Sequence, residues 1–310
     1  MIVDYDLIIV GAGPAGMTAG VFAARKGVKT AIVAKDVGGQ VNWTTDIENY
    51  MGFQEIDGQA LVEKFEAQIK ELDLDQKLTD VQSIRKEGDQ FKVATPQGEL
   101  TARAVLVCSG KRPKTLNVPG ETEFRNKGVS YCSTCDGPIF KNLPVAVIGG
   151  GNSAIKSVLD LVNYVSEVHL ISLSQLTADA ILIKRLAGQS KLKQYPEHAV
   201  VSIKGDKSVT AVEVESVKTK ERFEIPARGV FVEIGLDPNT DFLGDAVKRN
   251  EQGEIEIDCL CRTNISGLFA AGDATSVPEK QIIVAAGEGA KAAIKVWEYL
   301  IRGPGEDIKH

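Results

Sequence analysis

The stretch Leu7-Ile8-Ile9-Val10-Gly11-Ala12-Gly13-Pro14-Ala15-Gly16 decides the fold. Its first four residues are wholly apolar, as a parallel strand buried on both faces requires. The next six read Gly-x-Gly-x-x-Gly. A helix-forming run follows, Met17-Thr18-Ala19-Gly20-Val21-Phe22-Ala23-Ala24-Arg25-Lys26, and then a second strand, Lys29-Thr30-Ala31-Ile32-Val33. Strand, glycine turn, helix and strand in this order form a dinucleotide-binding unit. The glycines let the backbone turn tightly and approach a pyrophosphate, which rests on the helix N-terminus where free N–H groups and the helix dipole favour anions. An acid is expected at the end of the second strand to hold a ribose. The sequence there is Ala34-Lys35-Asp36, which places the acid one or two positions late.

The same pattern recurs further on. Pro144-Val145-Ala146-Val147-Ile148 is a strand, Gly149-Gly150-Gly151-Asn152-Ser153-Ala154 opens a helix running to about Val165, and Val168-His169-Leu170-Ile171 is the next strand. Two such units call for two dinucleotides or two nucleotide-binding subdomains. Between them, residues 58–72 are patterned as an amphipathic helix with Leu61, Phe65, Ile69 and Leu72 on one face. Residues 80–103 read as short strands around a Pro96-Gln97-Gly98 turn, and Ala104–Gly110 as another buried strand. Cys108 falls in that strand as a core cysteine. Asn117–Gly120 and Gly235–Asn239 look like linkers, and residues 195–233 read as short strands. The last helix, from about Ile282 to Leu300, contains Gly287 and Gly289. Both cost helix stability unless something packs very close.

Between the two glycine turns stands Tyr131-Cys132-Ser133-Thr134-Cys135-Asp136-Gly137-Pro138. Cysteines at this spacing can join within one turn of chain. The pair can therefore alternate between dithiol and disulfide, with Asp136 placed to exchange a proton. A structural disulfide or half of a zinc site fits the same spacing, but zinc needs four ligands, usually as two such pairs. The other close pair, Cys259-Leu260-Cys261, has a different spacing. His169, His198 and His310 are scattered without metal spacing and read as structural or surface residues.

The totals narrow the class. The chain has 310 residues, enough for two domains, and 43% hydrophobic content, enough for a sizeable core. Its net charge of −6, without a basic run, argues against nucleic acid or an anionic membrane as the partner. No apolar run approaches a membrane span. The N-terminus has no basic segment of the secretory kind. Five cysteines without disulfide-framework spacing point to a reducing cytoplasm.

Taken together, Gly11–Gly16, Gly38-Gly39-Gln40, Val118–Glu121, Cys132–Pro138, Gly149–Ala154, Thr263–Asp273 and Lys280–Lys291 resemble the low-molecular-weight thioredoxin reductase family. They are most similar to the flavin-and-disulfide portion of the flavoprotein component of alkyl hydroperoxide reductase. The resemblance spans nearly the whole chain and implies an α/β fold of two Rossmann-like, three-layer ββα nucleotide-binding domains, one inserted in the other. An FAD domain over 1–114 and 243–310 would enclose a nicotinamide-nucleotide domain over 115–242 that carries the redox pair. Cys135 would be the flavin-facing sulfur, Cys132 the outward nucleophile and Asp136 the general acid/base. FAD would be held by Gly11, Gly13, Pro14, Ala15, Gly16, Gly39, Gln40, Asn49, Gly110, Gly272, Asp273, Lys280, Gln281 and Ile282. The nicotinamide nucleotide would be held by Gly149, Gly151, Asn152, Ser153, Ala154 and Ser172. The implied activity is transfer of electrons from a reduced nicotinamide through FAD and the disulfide to a thioredoxin- or glutaredoxin-like protein, in a homodimer. The first strand begins within ten residues of Met1, so the acceptor is expected to be a separate small protein.

The donor is the least determined part. NADPH-dependent relatives carry a His-Arg-Arg cluster after the second strand of the nicotinamide unit. Here that place reads His169-Leu170-Ile171-Ser172-Leu173-Ser174-Gln175-Leu176-Thr177, with no Arg or Lys before Lys184. A 2′-phosphate would lack its charge partner. The Glu that NADH-dependent relatives place near Ser172 is also absent. The sequence therefore favours NADH over NADPH, with modest affinity. Ferredoxin or another donor on the same fold is one alternative, and a non-catalytic flavin redox sensor is the other.

Overall fold

A computed structural model describes residues 3–44 and 46–303. Among them six α-helices occur in chain order: α1 (Pro14–Arg25), α2 (Gly58–Lys70), α3 (Ser133–Asp136), α4 (Asn152–Leu161), α5 (Ala180–Leu186) and α6 (Ile282–Arg302). The chain divides into two compact units. The first comprises Met1–Asn42, Asn49–Arg112 and Asp237–His310, and the second Trp43–Glu48 and Pro113–Leu236. The two crossings, Lys111–Pro113 and Leu236–Pro238, pair with each other as a two-stranded ribbon.

The first unit is built on a seven-stranded sheet with Tyr5–Ala12 near its middle. That strand pairs in parallel with Thr30–Val37 on one side and Gly98–Val107 on the other. Burial on both faces accounts for its unbroken apolar run. Leu7 and Ile9 point into the core under α1 and α6, whereas Ile8 and Val10 join a second core with Leu243, Val247 and Ile255. The expected turn at Pro96-Gln97 is present, but it leads directly into the buried strand. Gly98–Val107 is one continuous strand, paired antiparallel with Gln90–Thr95 at its start and parallel with Leu268–Ala270 at its end. Helix α2 starts where Asp57 Oδ1 accepts the N–H groups of Gln59 and Ala60 at 2.8 and 3.2 Å, a side-chain cap of the usual kind. It ends at Lys70, so Leu72 packs on the core from beyond the helix.

The second unit has three layers. A five-stranded parallel sheet runs in the order Val129–Ser130, Gly229–Val232, Pro144–Ile148, Glu167–Ser172, Leu192–Pro196. Alternate residues of its central strand again face opposite ways: Val145 and Val147 pack on α4, while Ala146 and Ile148 pack toward an antiparallel sheet of His198–Gly205, Val209–Ser216 and Arg222–Pro226. Helix α4 ends at Leu161, four residues before the expected Val165. The stretch 117–120 is not a loose linker. Glu121 is buried and accepts the Leu116 and Asn117 N–H groups at 2.9 and 2.7 Å and the Tyr131 hydroxyl at 2.9 Å. An ideal Cβ on Gly120 would lie 2.9 Å from the Ile203 carbonyl carbon. No helix among the described residues is long and apolar enough to cross a membrane.

Candidate functional site

In the first unit the glycines of the opening motif do two separate jobs. Gly11 has φ +109°, and a Cβ there would stand 2.7 Å from the Cys108 carbonyl carbon. One on Gly16 would be 2.9 Å from the Gly11 carbonyl carbon, so these two positions close the turn onto the sheet and helix. Gly13 has open space instead. It is the N-cap of α1, with no side chain capping the helix and Pro14 at its first turn. The first-turn N–H groups beyond Pro14 are therefore left for an external acceptor. Gly39 lies beside Gly13, with its ideal Cβ 3.8 Å from the Gly13 Cα, and the Gly38 N–H donates to the Ala12 carbonyl at 2.8 Å. Gln40 Nε2 reaches Asp273 Oδ2 at 3.2 Å, and Gly272, at φ +77°, brings its backbone against Ala15. Residues 233 positions apart thus share one cradle.

Helix α6 closes on α1 at a second close approach. A Cβ on Gly289 would fall 2.8 Å from the Ala15 carbonyl carbon, with the oxygen closer still. Gly287 meets nothing within 4 Å, so the expected close packing holds for Gly289 and not for Gly287. The α6 N-cap, Gln281, also leaves its helix without a side-chain cap, and Gln281 Oε1 accepts from Asn49 Nδ2 at 3.2 Å. Ile282 is the first residue of α6, and Gly110 accepts the Asn239 N–H at 3.0 Å. An uncapped helix start, a glycine-lined floor and an acid acceptor together fit a dinucleotide such as FAD.

The second unit carries the redox turn. Cys132 and Cys135 form a disulfide with Cα atoms 5.3 Å apart. Cys132 is the N-cap of α3, and its sulfur accepts the Cys135 N–H at 3.2 Å. A hydrogen bond of this kind favours the thiolate once the pair is reduced. Asp136 is buried one residue on and accepts the Ser130 hydroxyl at 2.6 Å, while the Cys132 N–H donates to the same hydroxyl oxygen at 3.1 Å. Gly137 is required by space: its Cβ would sit 3.1 Å from Leu161 Cδ2 and 3.2 Å from the Tyr164 ring. No group of three or more His, Cys, Asp or Glu that could hold a metal occurs among the described residues.

The second glycine turn lies in the same unit. Gly149 has φ +144°, and its Cβ would come within 2.9 Å of the Glu233 carbonyl carbon. Gly151 has open space and is the N-cap of α4, again without a side-chain cap. Ala154 is fully buried against the sheet. Two of the expected nucleotide contacts are already engaged. Asn152 holds the following loop, accepting the Asp179 N–H at 2.8 Å and donating to Asp179 Oδ2 at 3.0 Å. Ser172 is buried, and its hydroxyl donates to the Ser174 carbonyl at 2.8 Å. Ser153 donates to Glu233, a residue that sequence reading did not single out. The available signal was its place immediately after the buried strand Gly229–Val232.

The family model for pyridine nucleotide-disulphide oxidoreductases matches residues 5–289. The chain belongs to this family. It is 43% identical over 307 residues to an alkyl hydroperoxide reductase component of Escherichia coli (strain K12), covering 96% of this chain and 58% of that protein. The chain therefore spans less than two thirds of the length of that curated relative. Among solved structures it is similar to thioredoxin reductase from Streptococcus pyogenes, at 35% identity and a TM-score of 0.92 over 96% of this chain and 99% of that one. Thioredoxin reductase from Giardia duodenalis gives 30% identity and a TM-score of 0.91, over 96% and 99%.

The charged groups around the first cradle are unevenly solvated. Burial raises the Asp273 carboxyl above the usual carboxylate range, against the pull of Lys280 and Lys111. Lys280 is lowered, by burial first and by Lys111 second. Its ammonium donates to the Thr275 carbonyl at 2.6 Å, to the Val277 carbonyl, and to Glu254 Oε1 at 3.1 Å. An ammonium has three donors, so Lys280 acts on the loop after Asp273. Lys111 shares the same Glu254 oxygen at 2.5 Å. The remaining cysteines are Cys108 and Cys261, both buried, and the exposed Cys259. Burial pushes the Cys108 thiol well up and that of Cys261 up to about 12, which keeps both protonated and unreactive.

Proposed function

We propose that this chain is a flavin-dependent disulfide reductase that passes electrons from a reduced nicotinamide through FAD and the Cys132–Cys135 disulfide to a thioredoxin- or glutaredoxin-like protein. The observation that carries the reading is the Cys132–Cys135 disulfide with the buried Asp136 beside it, in one unit with a second glycine turn. FAD, when bound, supplies a two-electron carrier between a hydride donor and a disulfide. The first unit would hold its pyrophosphate at the open start of α1 and offer Asp273 to its hydroxyls. The protein's own groups account for the thiol chemistry. Cys132 takes the role of attacking sulfur, because the Cys135 N–H already points at it. Its thiolate opens the partner's disulfide through a mixed disulfide, which Cys135 then resolves. Asp136, held by Ser130, is the proton carrier.

The donor reading is NADH in preference to NADPH. It is supported by the lack of an Arg or Lys between Ser172 and Lys184 to meet a 2′-phosphate. A second reading keeps the fold and replaces the nicotinamide by ferredoxin or another donor. It is favoured by the prior engagement of Asn152 and Ser172 with their own loops. The test is kcat/KM for both nucleotides in one buffer, with reduced ferredoxin in parallel and a thioredoxin-like disulfide as acceptor. A higher kcat/KM for NADH supports the reading. A clear NADPH preference refutes it, and negligible flavin reduction by either nucleotide transfers the assignment to the second donor.

A further inference from the structure

Glu233 occupies an unusual place for a carboxylate. It follows the buried strand Gly229–Val232, and its N–H donates to the Ile148 carbonyl at 2.8 Å, at the point where the central strand enters the second glycine turn. Its side chain then turns onto α4. One carboxylate oxygen accepts from Ser153, in the first turn of that helix, and the other accepts from Ser157, one turn on, at 2.7 Å. Ser157 in turn accepts the Ser133 hydroxyl at 2.6 Å, and both Ser133 and Ser157 are buried. A line of three hydroxyls therefore holds the carboxylate in place, and all three are neutral. Nothing in that set cancels its charge.

The first turn of α4 contains no acid of its own. An anion near a helix N-terminus is stabilised by the dipole and by free N–H groups. A dinucleotide pyrophosphate uses the same feature. The corresponding turn of the first unit, Pro14-Ala15-Gly16, has no hydroxyl to receive such a carboxylate. The two glycine turns share their uncapped glycine N-caps and differ in the polar groups tied to the helix start, Asp179 on Asn152 and Glu233 on Ser153 and Ser157.

We infer that Glu233 is an affinity-setting residue of the second nucleotide turn: its carboxylate, tied to Ser153 and Ser157, stands as a resident anion at the start of α4 and opposes a pyrophosphate there. The inference rests on the reading of this turn as the nicotinamide-nucleotide seat. It adds a residue-level cause to the modest affinity expected of that seat, beyond the missing ribose contacts. A like charge tied to the first turn of a helix costs a pyrophosphate seated there on the order of a tenfold change in Kd, even when solvent screens much of the interaction.

The experiment uses the purified chain saturated with FAD and titrates it with ADP-ribose, which carries the pyrophosphate and donates no hydride. Adenosine, without phosphates, is the parallel probe. Glu233→Gln is expected to tighten ADP-ribose by about tenfold and to leave adenosine unchanged. Ser157→Ala, which removes one tether and keeps the charge, should move ADP-ribose far less. An unchanged or weaker affinity for ADP-ribose in Glu233→Gln overturns the inference. So does an equal change for both probes, because a purely structural role would produce that. Failure of both proteins to bind ADP-ribose overturns it as well. The donor reading is judged separately, by flavin reduction, which neither probe involves.

Discussion

Two glycines two residues apart in α6 should respond to alanine with opposite sign. At Gly289 an ideal Cβ would lie 2.8 Å from the Ala15 carbonyl carbon and 2.9 Å from its Cα, where ordinary contact begins near 3.4 Å. The obstacle is helix backbone and cannot rotate away, so α1 and α6 must separate. Overpacking costs about 1–3 kcal/mol, and a rigid backbone obstacle puts this case at the upper end, about 2–3 kcal/mol; the better helix propensity of alanine returns about 1 kcal/mol. The net expectation for Gly289→Ala is a loss of about 1–2 kcal/mol, or roughly 2–4 °C in Tm for a chain of this size. At Gly287 the added methyl meets nothing within 4 Å. There the propensity gain stands alone, and Gly287→Ala should raise Tm by about 2 °C. Ala15 belongs to the first turn of α1, so Gly289→Ala should also lose flavin on gel filtration while Gly287→Ala retains it. Calorimetry of the two variants beside the parent decides the matter. Equal shifts, or a Gly289→Ala protein as stable as the parent, would refute the assignment of Gly289 to a backbone contact.

Thiol labelling of the native oxidised protein should modify Cys259 and spare Cys108 and Cys261; reduction should add Cys132 and Cys135 to the labelled set. Either Cys132→Ser or Cys135→Ser should abolish disulfide turnover, and a variant that keeps turnover would remove the pair from the reaction. Asp273→Asn should stabilise the FAD-free protein yet weaken FAD binding. Burial raises the Asp273 pKa, so the ionised form opposes folding. That penalty is absent below the unfolded value near 3.9 and develops as pH rises from there through the folded value, so the stability gain over the parent should shrink toward zero as pH falls to about 4. A gain that persists at lower pH, or undiminished flavin affinity, would contradict this account.

Much of the architecture was legible because its causes are local. Leu7–Val10 and Val145–Ile148 announce buried parallel strands by their unbroken apolar runs, which need no partner to be recognised. Gly11 and Gly149 are demanded by backbone conformation and, together with Gly16, by the lack of room for a side chain, and both constraints appear in the sequence as the residue type itself. The Cys132–Cys135 pair was readable for the same reason, since three residues of chain suffice to join it.

What tertiary structure alone decided is how polar groups are spent. The resemblance assigns Lys280 to FAD, but folding turns its ammonium onto two backbone carbonyls and Glu254. Asn152 and Ser172 look available for a nucleotide and are committed to Asp179 and Ser174. The stretch 117–120 carries linker residues, yet the buried Glu121 anchors it. Gly287 and Gly289 are indistinguishable until the path of α1 is known. Glu233 meets Ser153 from 80 positions away, through a crossover that brings the last parallel strand beside the central one. Hydrogen-bond and charge partners are set by three-dimensional proximity, and one residue's chemistry does not name the distant residue that will satisfy it.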